Sequence, residues 1–449
     1  MNHLLGLIYV SKIFSIKQGG YIMIIKDLRR ILLLILICFT LSFSTTIAPV
    51  EAAYSGSGND VILQGFHWNS WKYGTWNTII NKADTISEAG FTMVWFPPVS
   101  KSTGGTGYLP NEWYNLNSDH GTEAQLRAAV NAMNNRGIKP IADIVINHRV
   151  GTTDWADFSN PAFDDNNHAV TNDDEWGEGT GNADTGDGYA AARDLDHTYY
   201  DVQAEIESWM NWLKDDVGFK GWRYDYVKGY SGYYNGIYND ATSPYFSVGE
   251  LWPDITGDYY ASGDNVNYHR QKLIDWIDAT GAKSTVFDFT TKWQLMLATS
   301  RSEYWRLRDS SNNPIGAIGW WPEMSVTFID NHDTGPSPDG GQEHWPFEMS
   351  KVEQGYAYIL THPGTPCVYW PHYFDWGNDL QSKIKTLINL RKEQGITSTS
   401  PVSIQVADSS KYAAIINSSL AVKIGPGDWS PGSGWNLRAS GNQWAVWTQ

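Results

Sequence analysis

Four short stretches hold carboxylates, imidazoles and a guanidinium at spacings that could do chemistry. They read Asp143-Ile-Val-Ile-Asn147-His148, Gly221-Trp-Arg223-Tyr-Asp225-Tyr-Val-Lys228-Gly229, Val248-Gly249-Glu250-Leu-Trp252 and Phe328-Ile-Asp330-Asn331-His332-Asp333-Thr334. Each begins as a β-branched or aromatic run and ends polar, as a strand leading into a loop does. Arg223 and Asp225 are two residues apart, so on a strand they share one face. A cation there favours an ionised Asp225, which is what a nucleophilic carboxylate needs. Taken alone, each acid reads as a strand-end cap or a solvated turn. Three acids (Asp225, Glu250, Asp333) with Arg223, His148 and His332 at matching ends read better as one mouth. Two facing carboxylates suit glycoside hydrolysis, one attacking the anomeric carbon while the other protonates the leaving oxygen. A third nearby would keep the acid protonated by like-charge repulsion.

These stretches need a scaffold that brings strand ends together. From residue 60 onward, eight strand-like runs alternate with helical patterns: Val61–Phe66, Met93–Phe96, Pro140–Ile146, Gly221–Tyr224, Phe246–Val248, Thr285–Phe287, Ser325–Ile329 and Pro366–Trp370. Trp76, Ile79, Ile80, Ala83 and Ile86 predict one helix face. Thr122-Glu-Ala-Gln125 predicts a capping box opening a helix striped by Leu126, Ala129, Val130 and Met133. Val202, Ile206, Trp209, Met210 and Leu213 repeat the pattern, and later helices are expected at Gln271–Ala279, Lys292–Ala298, Glu348–Leu360 and Leu380–Arg391. Eight such repeats predict an α/β fold, a (β/α)8 TIM barrel over 54–148 and 199–394 with its chemistry at the strands' C-terminal ends. Residues 149–198, rich in Gly, Asp and Asn, are too long for a βα loop and predict an irregular domain inserted after strand three. From 395 to 449, short alternating runs at Val402–Val406, Tyr412–Ile416, Leu420–Ile424 and Trp444–Trp447 predict an all-β C-terminal domain.

Composition narrows the ligand. The 449 residues carry 32 Lys+Arg against 49 Asp+Glu, a formal charge of −17, which argues against nucleic acid as a partner. With 23 Trp and 25 Tyr, the chain suits a neutral polyhydroxylated ligand: rings pack on sugar C–H groups while carboxylates accept hydroxyl protons. The apolar run Ile31–Phe39 follows Lys26, Arg29 and Arg30 and precedes small and polar residues ending at Ala53. A basic flank, a short apolar core and a small-residue exit predict a secretory signal over 1–53, hence a secreted protein without a membrane anchor once it is cleaved. Cys367 is then the one remaining cysteine, in a run that buries it, and no intrachain disulfide is possible. Asp184-Thr-Gly-Asp187 and Asp194-Leu-Asp196 offer hard oxygen donors, with Asn147 at the end of strand three; the set suits Ca²⁺ rather than Zn²⁺. On their own such loops are more often solvated turns.

In this order and spacing, DIVINH, GWRYDYVKGY, VGELW and FIDNHDT resemble the four signature stretches of the α-amylase family, glycoside hydrolase family thirteen. The likeness covers the chain from about Val61 to the C-terminal β-domain. It implies Asp225 as nucleophile, Glu250 as acid/base and Asp333 as the acid that distorts and holds the sugar. It implies Arg223, His148 and His332 as contacts of the cleaved sugar, Tyr108 of Gly-Tyr-Leu-Pro as its stacking platform, and Lys228 on the leaving side. It also implies a calcium held by Asn147, Asp184, Asp187, Asp194 and the Gly229 carbonyl, pinning the insert to the barrel. The family's fifth stretch reads Leu-Pro-Asp-Leu-Asp, and here Ala192-Arg193 replaces Leu-Pro. The expected protein is a monomeric, calcium-dependent, retaining α-amylase acting on starch and maltooligosaccharides. A transglycosylase on the same barrel is the rival, since water and a sugar hydroxyl compete for one glycosyl-enzyme. A narrower likeness, in Gln64–Asn69, Asn331–Gly335, Gly340–Trp345 and Ile359–Pro366, is to bacterial maltotetraose-forming amylases. It makes exo action the alternative.

Overall fold

Short runs of β-branched and aromatic residues, buried on both faces, close into a ring in the computed structural model, which describes residues 53–153, 155–163 and 167–449. The strands are β1 (Ile62–Gln64), β2 (Met93–Phe96), β3 (Lys139–Ile144), β4 (Gly221–Tyr224), β5 (Phe246–Gly249), β6 (Thr285–Phe287), β7 (Ser325–Thr327) and β8 (Thr365–Tyr369). All are parallel, each pairs with its neighbours in the chain, and β8 closes on β1 with Cys367 opposite Ile62. The expected signal over 1–53 lies, but for Ala53, outside the described residues.

The strands' period of two separates two cores. Leu63, Val94, Ala142, Ile144, Trp222, Val286 and Val368 join the large core that includes the helices' apolar stripes. Ile62, Met93, Trp95, Ile141, Val248, Phe287, Val326 and Cys367 form a second cluster that fills the barrel. Continued toward the strands' C-terminal ends, this inward series turns polar: Ile141 leads to Asp143, Gly221 to Arg223 and Asp225, Val248 to Glu250. An apolar plug therefore floors a charged mouth.

Eight main helices surround the ring: α1 (Thr75–Ala89), α2 (Glu123–Asn134), α3 (Tyr200–Trp212), α4 (Gly232–Thr242), α5 (Asn267–Ala279), α6 (Phe289–Arg301), α7 (Val352–Ile359) and α8 (Asn378–Glu393). The capping box at Thr122 forms as the sequence predicts, and the stripe Leu126, Ala129, Val130 and Met133 is buried. Helix α4 has no counterpart in the sequence reading. Its buried face is Asn235, Gly236, Tyr238, Asn239 and Thr242, so hydrogen bonds rather than an apolar stripe hold it: Asn239 accepts from Tyr224 Oη (2.9 Å) and donates to Ser247 Oγ (2.9 Å).

After β3 the chain makes its long excursion, whose stem is an antiparallel pair, His148–Arg149 against Arg193–Asp194. Arg149 is wholly buried, 4.6 Å from the Trp113 ring and 4.8 Å from that of Phe158, and donates to the carbonyls of Asn111 (2.7 Å) and Ser159 (2.8 Å). One side chain thus knits the excursion to the barrel top. The C-terminal sheet is antiparallel and contains β9 (Val402–Ala407), β10 (Tyr412–Ile416), β11 (Leu420–Ile424), β12 (Asn436–Gly441) and β13 (Trp444–Thr448), in the order β9-β10-β11-β13-β12. The sequence reading lacks β12, an exposed edge strand without apolar alternation.

Candidate active site

Arg223 stands at the centre of the mouth with no solvent exposure. Its Nη1 donates to Asp143 Oδ1 (2.9 Å) and Asp225 Oδ1 (2.7 Å). Its Nη2 lies 2.8 Å from Glu250 Oε2 but without hydrogen-bond alignment, so that contact is an ion pair only. A single guanidinium from β4 therefore gathers carboxylates from β3, from its own strand end and from β5. Asp143 also accepts from Tyr108 Oη (2.8 Å) and Trp95 Nε1 (3.0 Å), fixing the ring of Tyr108 over the mouth. Backbone bonds set the heights: Asp225 N donates to the Ile144 carbonyl and Glu250 N to the Tyr224 carbonyl, both at 3.0 Å. Directly after Asp225, Tyr226 takes a left-handed φ of 45°, which turns the chain sharply out of the strand.

Burial governs the protonation of three acids around this cation, Glu250, Asp143 and Asp333. Burial pushes the Glu250 carboxyl up to about 7; the Asp225 charge adds to this and Arg223 opposes it. Glu250 Oε1 is buried without a hydrogen-bond partner. Asp143 is likewise raised to about 7 by burial, again against Arg223. Asp333 is raised well above the usual carboxylate range by burial and then by Glu250. The histidines are neutral: burial lowers His148, and lowers His332 well below its ordinary value. Gln64 Nε2 donates to His332 Nδ1 (2.9 Å), so the ring's proton sits on Nε2, 3.4 Å from Asp333 Oδ2. His148 Nε2 donates to the Tyr108 carbonyl (2.8 Å).

Above these groups lies a cleft of about 450 Å³. Of the residues singled out from sequence, Tyr108, Asp225, Lys228, Glu250, His332 and Asp333 line it, while Arg223 and His148 sit behind that lining. The Tyr108 ring is nearly parallel to that of His332, with centroids 5.1 Å apart, and Trp68 stacks beside both. Tyr189, from the excursion, stacks on His148 at 4.0 Å and forms the opposite wall.

Trp95, Asp143, Tyr189, Trp252 and Asp254 have no assigned role in the sequence, and Gln64, Trp68, Gln342 and His344 figure there only within the narrower likeness to maltotetraose-forming amylases. Asp143 was findable, as a carboxylate two residues beyond Ile141 on an inward face. The loop residues carried no periodic signal. Asp330 and Lys292 form a support beneath the site. Lys292 Nζ donates to Asp330 Oδ1 (3.0 Å), and Asp330 accepts from Thr334 Oγ1 (3.1 Å) and Phe347 N (3.2 Å). Asp330 thereby ties down both ends of the segment that carries His332, Asp333, Gln342 and His344.

The expected metal ligands fall into two groups. Asn147 and Asp194 are buried in contact, Asn147 Nδ2 donating to Asp194 Oδ1 (3.0 Å). Burial raises Asp194 to about 8, and the charges of Asp184, Glu175 and Asp174 add to it. Asp184, raised to about 6 by burial, keeps Oδ2 buried without a partner. Asn147 Oδ1 presses on Gly229, where an added Cβ would meet it at 2.0 Å. Asp187 stands apart: its side chain is 67% exposed and its nearest cation is Lys228 Nζ, 4.0 Å away. Among the described residues, no three His, Cys, Asp or Glu side chains converge as a metal cage. The donor chemistry of Asn147, Asp184, Asp194 and the Gly229 carbonyl nevertheless fits a hard cation, because it gathers oxygens and under-compensated buried acids.

The profile of the alpha-amylase catalytic domain matches residues 44–372, and that of the alpha-amylase C-terminal β-sheet domain matches 393–448. A probable alpha-amylase 2 of Arabidopsis thaliana is 43% identical over 396 residues, covering 87% of this chain and 94% of its own. A glucan 1,4-alpha-maltotetraohydrolase of Stutzerimonas stutzeri is 33% identical over 430 residues, covering 89% and 75%. Among solved structures, an alpha-amylase from Malbranchea cinnamomea shares the fold at a TM-score of 0.65 and 18% identity, covering 88% of this chain and 97% of that one.

Proposed function

This chain belongs to the α-amylase family, and from that premise we propose that it cuts α-1,4-glucosidic bonds by double displacement with retention of configuration. It is an α-amylase, acting on glucans. Asp225 attacks the anomeric carbon through the carboxylate that Arg223 orients. Glu250 protonates the leaving oxygen and then deprotonates the water that resolves the glycosyl-enzyme. Asp333, with His332 and His148, grips the hydroxyls of the cleaved sugar, whose face packs on Tyr108; Lys228 meets the sugar on the leaving side.

The observation that carries this reading is the contrast between two acids on one guanidinium. Asp225 is hydrogen-bonded to it. Glu250 has no such bond, is raised to about 7 and keeps Oε1 unengaged. That is the division of labour between a nucleophile and a proton donor. Early ¹H NMR of starch digestion tests it: the α-anomer should appear first, with a net gain of reducing ends. Initial β-anomer would overturn double displacement, and transfer without new reducing ends would favour the transglycosylase. We read the action as internal, giving a rapid fall in iodine staining. Maltotetraose released with staining preserved would favour the exo alternative.

Calcium belongs to this reading as a structural ion. Asn147, Asp184, Asp194 and the Gly229 carbonyl would hold it, with Asp187 at the edge. It would supply positive charge to carboxylates that burial leaves under-compensated. Tyr189 N donates to Asp194 Oδ2 (2.9 Å), which links that cluster to the cleft wall. Secretion is inferred from the residue pattern over 1–53. Among the described residues, no helix is long and apolar enough to cross a membrane.

A further inference from the structure

Gln64 is the last residue of β1 and continues the strand's inward series, two residues beyond Ile62 of the cluster that fills the barrel. Its register partners are Trp95 on β2 and Tyr369 on β8. The side chain is fully buried and does not line the cleft, so it touches no substrate there. Its Nε2 donates to His332 Nδ1 (2.9 Å), whereas its Oε1 is buried without a hydrogen-bond partner. A buried amide left half-satisfied costs stability that an apolar side chain of the same length would not. A polar residue at such a place, on an otherwise apolar floor, directs attention to the histidine it serves.

The His332 ring sits in an aromatic cage. Tyr108 and Trp68 stack on it with centroids 5.1 and 6.0 Å away, and Trp95 and Phe66 meet it at 5.5 and 5.0 Å. These contacts fix the plane of the ring but not its direction. A half-turn about Cβ–Cγ would keep the stacking while exchanging each ring nitrogen with a carbon. Nor do they select the protonated nitrogen, since the two neutral tautomers have one shape. The bond from Gln64 decides both. It requires a lone pair on Nδ1, which keeps Nδ1 beside β1 and leaves the ring's proton on Nε2, 3.4 Å from Asp333 Oδ2. Burial and then the Arg223 charge hold the imidazole uncharged, so this N–H is the one donor the ring offers to the cleft.

We propose that Gln64 is a positioning residue for glycosyl transfer: its amide holds His332 in one ring orientation and as the Nε2–H tautomer, so that a donor meets the sugar hydroxyl gripped with Asp333. The inference rests on the hydrolase reading above and deepens it. The reversed tautomer would turn a lone pair toward Asp333 and the hydroxyl, and the ring could then accept a hydrogen bond there but not donate one. Loss of the amide thus frees a donor aimed at the cleaved sugar without removing any group that touches it.

Gln64→Met and Gln64→Leu test it, since both keep an apolar filling beneath the ring. ¹⁵N NMR of protein labelled in its 11 histidines, with the His332 signals assigned by their loss in His332→Gln, reads the tautomer directly. Wild type should show Nε2–H alone, and each variant a mixture of the two tautomers. The kcat on soluble starch should fall about tenfold in each variant, one hydrogen bond's worth of transition-state stabilisation. The melting temperature should move by no more than about 2 °C, because one unpartnered buried atom, Oε1, is exchanged for another, Nδ1. An unaltered His332 spectrum in both variants, a wild-type ring protonated on Nδ1, or an undiminished kcat beside an altered spectrum would each overturn the role. A large fall in melting temperature accompanying the lost activity would assign Gln64 to packing instead. If the wild-type protein releases no reducing ends from starch, the hydrolase reading fails, and the spectra still report on Gln64.

Discussion

Lys292→Met probes the support beneath the catalytic acids. Lys292 and Asp330 are fully buried, and their 3.0 Å contact is the one ammonium–carboxylate pair at that spot. His372 Nε2 is 3.6 Å from Asp330 Oδ2, but burial holds that imidazole down to about 3, so it is neutral and cannot take over. Methionine keeps the packing of the stem and leaves Asp330 without a cation. Breaking a buried pair from one side costs about 3–5 kcal/mol. Asp330 is already raised by burial and can take up a proton, so the low end, ~3 kcal/mol, is expected. The folded unit, Ala53–Gln449, has roughly 400 residues, and an unfolding entropy of about 2.1 cal/mol/K per residue gives ~0.8 kcal/mol/K. The melting temperature should therefore fall by about 4 °C, read by calorimetry at a fixed scan rate. Asp330→Asn added to Lys292→Met removes the orphan charge and should recover at least ~1 kcal/mol. Because Asp330 anchors both ends of the Asp333 segment, kcat on starch should drop about tenfold in the single variant, as misplacement of a catalytic group does. A shift under 1 °C, or a double variant no better than the single one, would refute the electrostatic argument. A normal kcat despite the lost stability would refute the link from support to site.

The other perturbations act at the site itself. Asp225→Asn and Glu250→Gln should each cost at least ~10³-fold in kcat with an unchanged melting temperature, and near-native activity in either would remove that residue from its role. Glu250 must be protonated to donate, and its carboxyl sits at about 7, so kcat/KM should be level below that pH as long as the Asp225 nucleophile stays ionised. It should fall about tenfold per unit above it, and a profile still flat at high pH would show that another group is the acid. Exhaustive chelation should lower the melting temperature by a few degrees and Ca²⁺ should restore it, since an ion at ~100-fold its Kd stabilises by about 2.7 kcal/mol. An unaltered melting curve, with no calcium by elemental analysis, would remove the proposed ion.

Features set by neighbouring residues are legible along the chain. The β-branched and aromatic runs Pro140–Ile146 and Gly221–Tyr224 specified strands, and the Thr122–Gln125 box specified a helix start; both signals lie within a few adjacent residues. The four signature stretches likewise put acids at strand ends, because strand and loop chemistry is written in adjacent residues. Helix α4 escaped because its buried face is polar. Asn235, Tyr238 and Asn239 count as core only once Tyr230 Oη, His197 Nδ1 and Ser247 Oγ stand opposite them. Barrel closure is what sets which acid sits where on Arg223, brings Gln64 to a histidine 268 positions away, and leans Asp330 on Lys292. It also set Glu250 apart from Asp225, although both are strand-end carboxylates in sequence. Desolvation and charge neighbours depend on barrel closure, and no residue pattern along the chain encodes the distance across a ring.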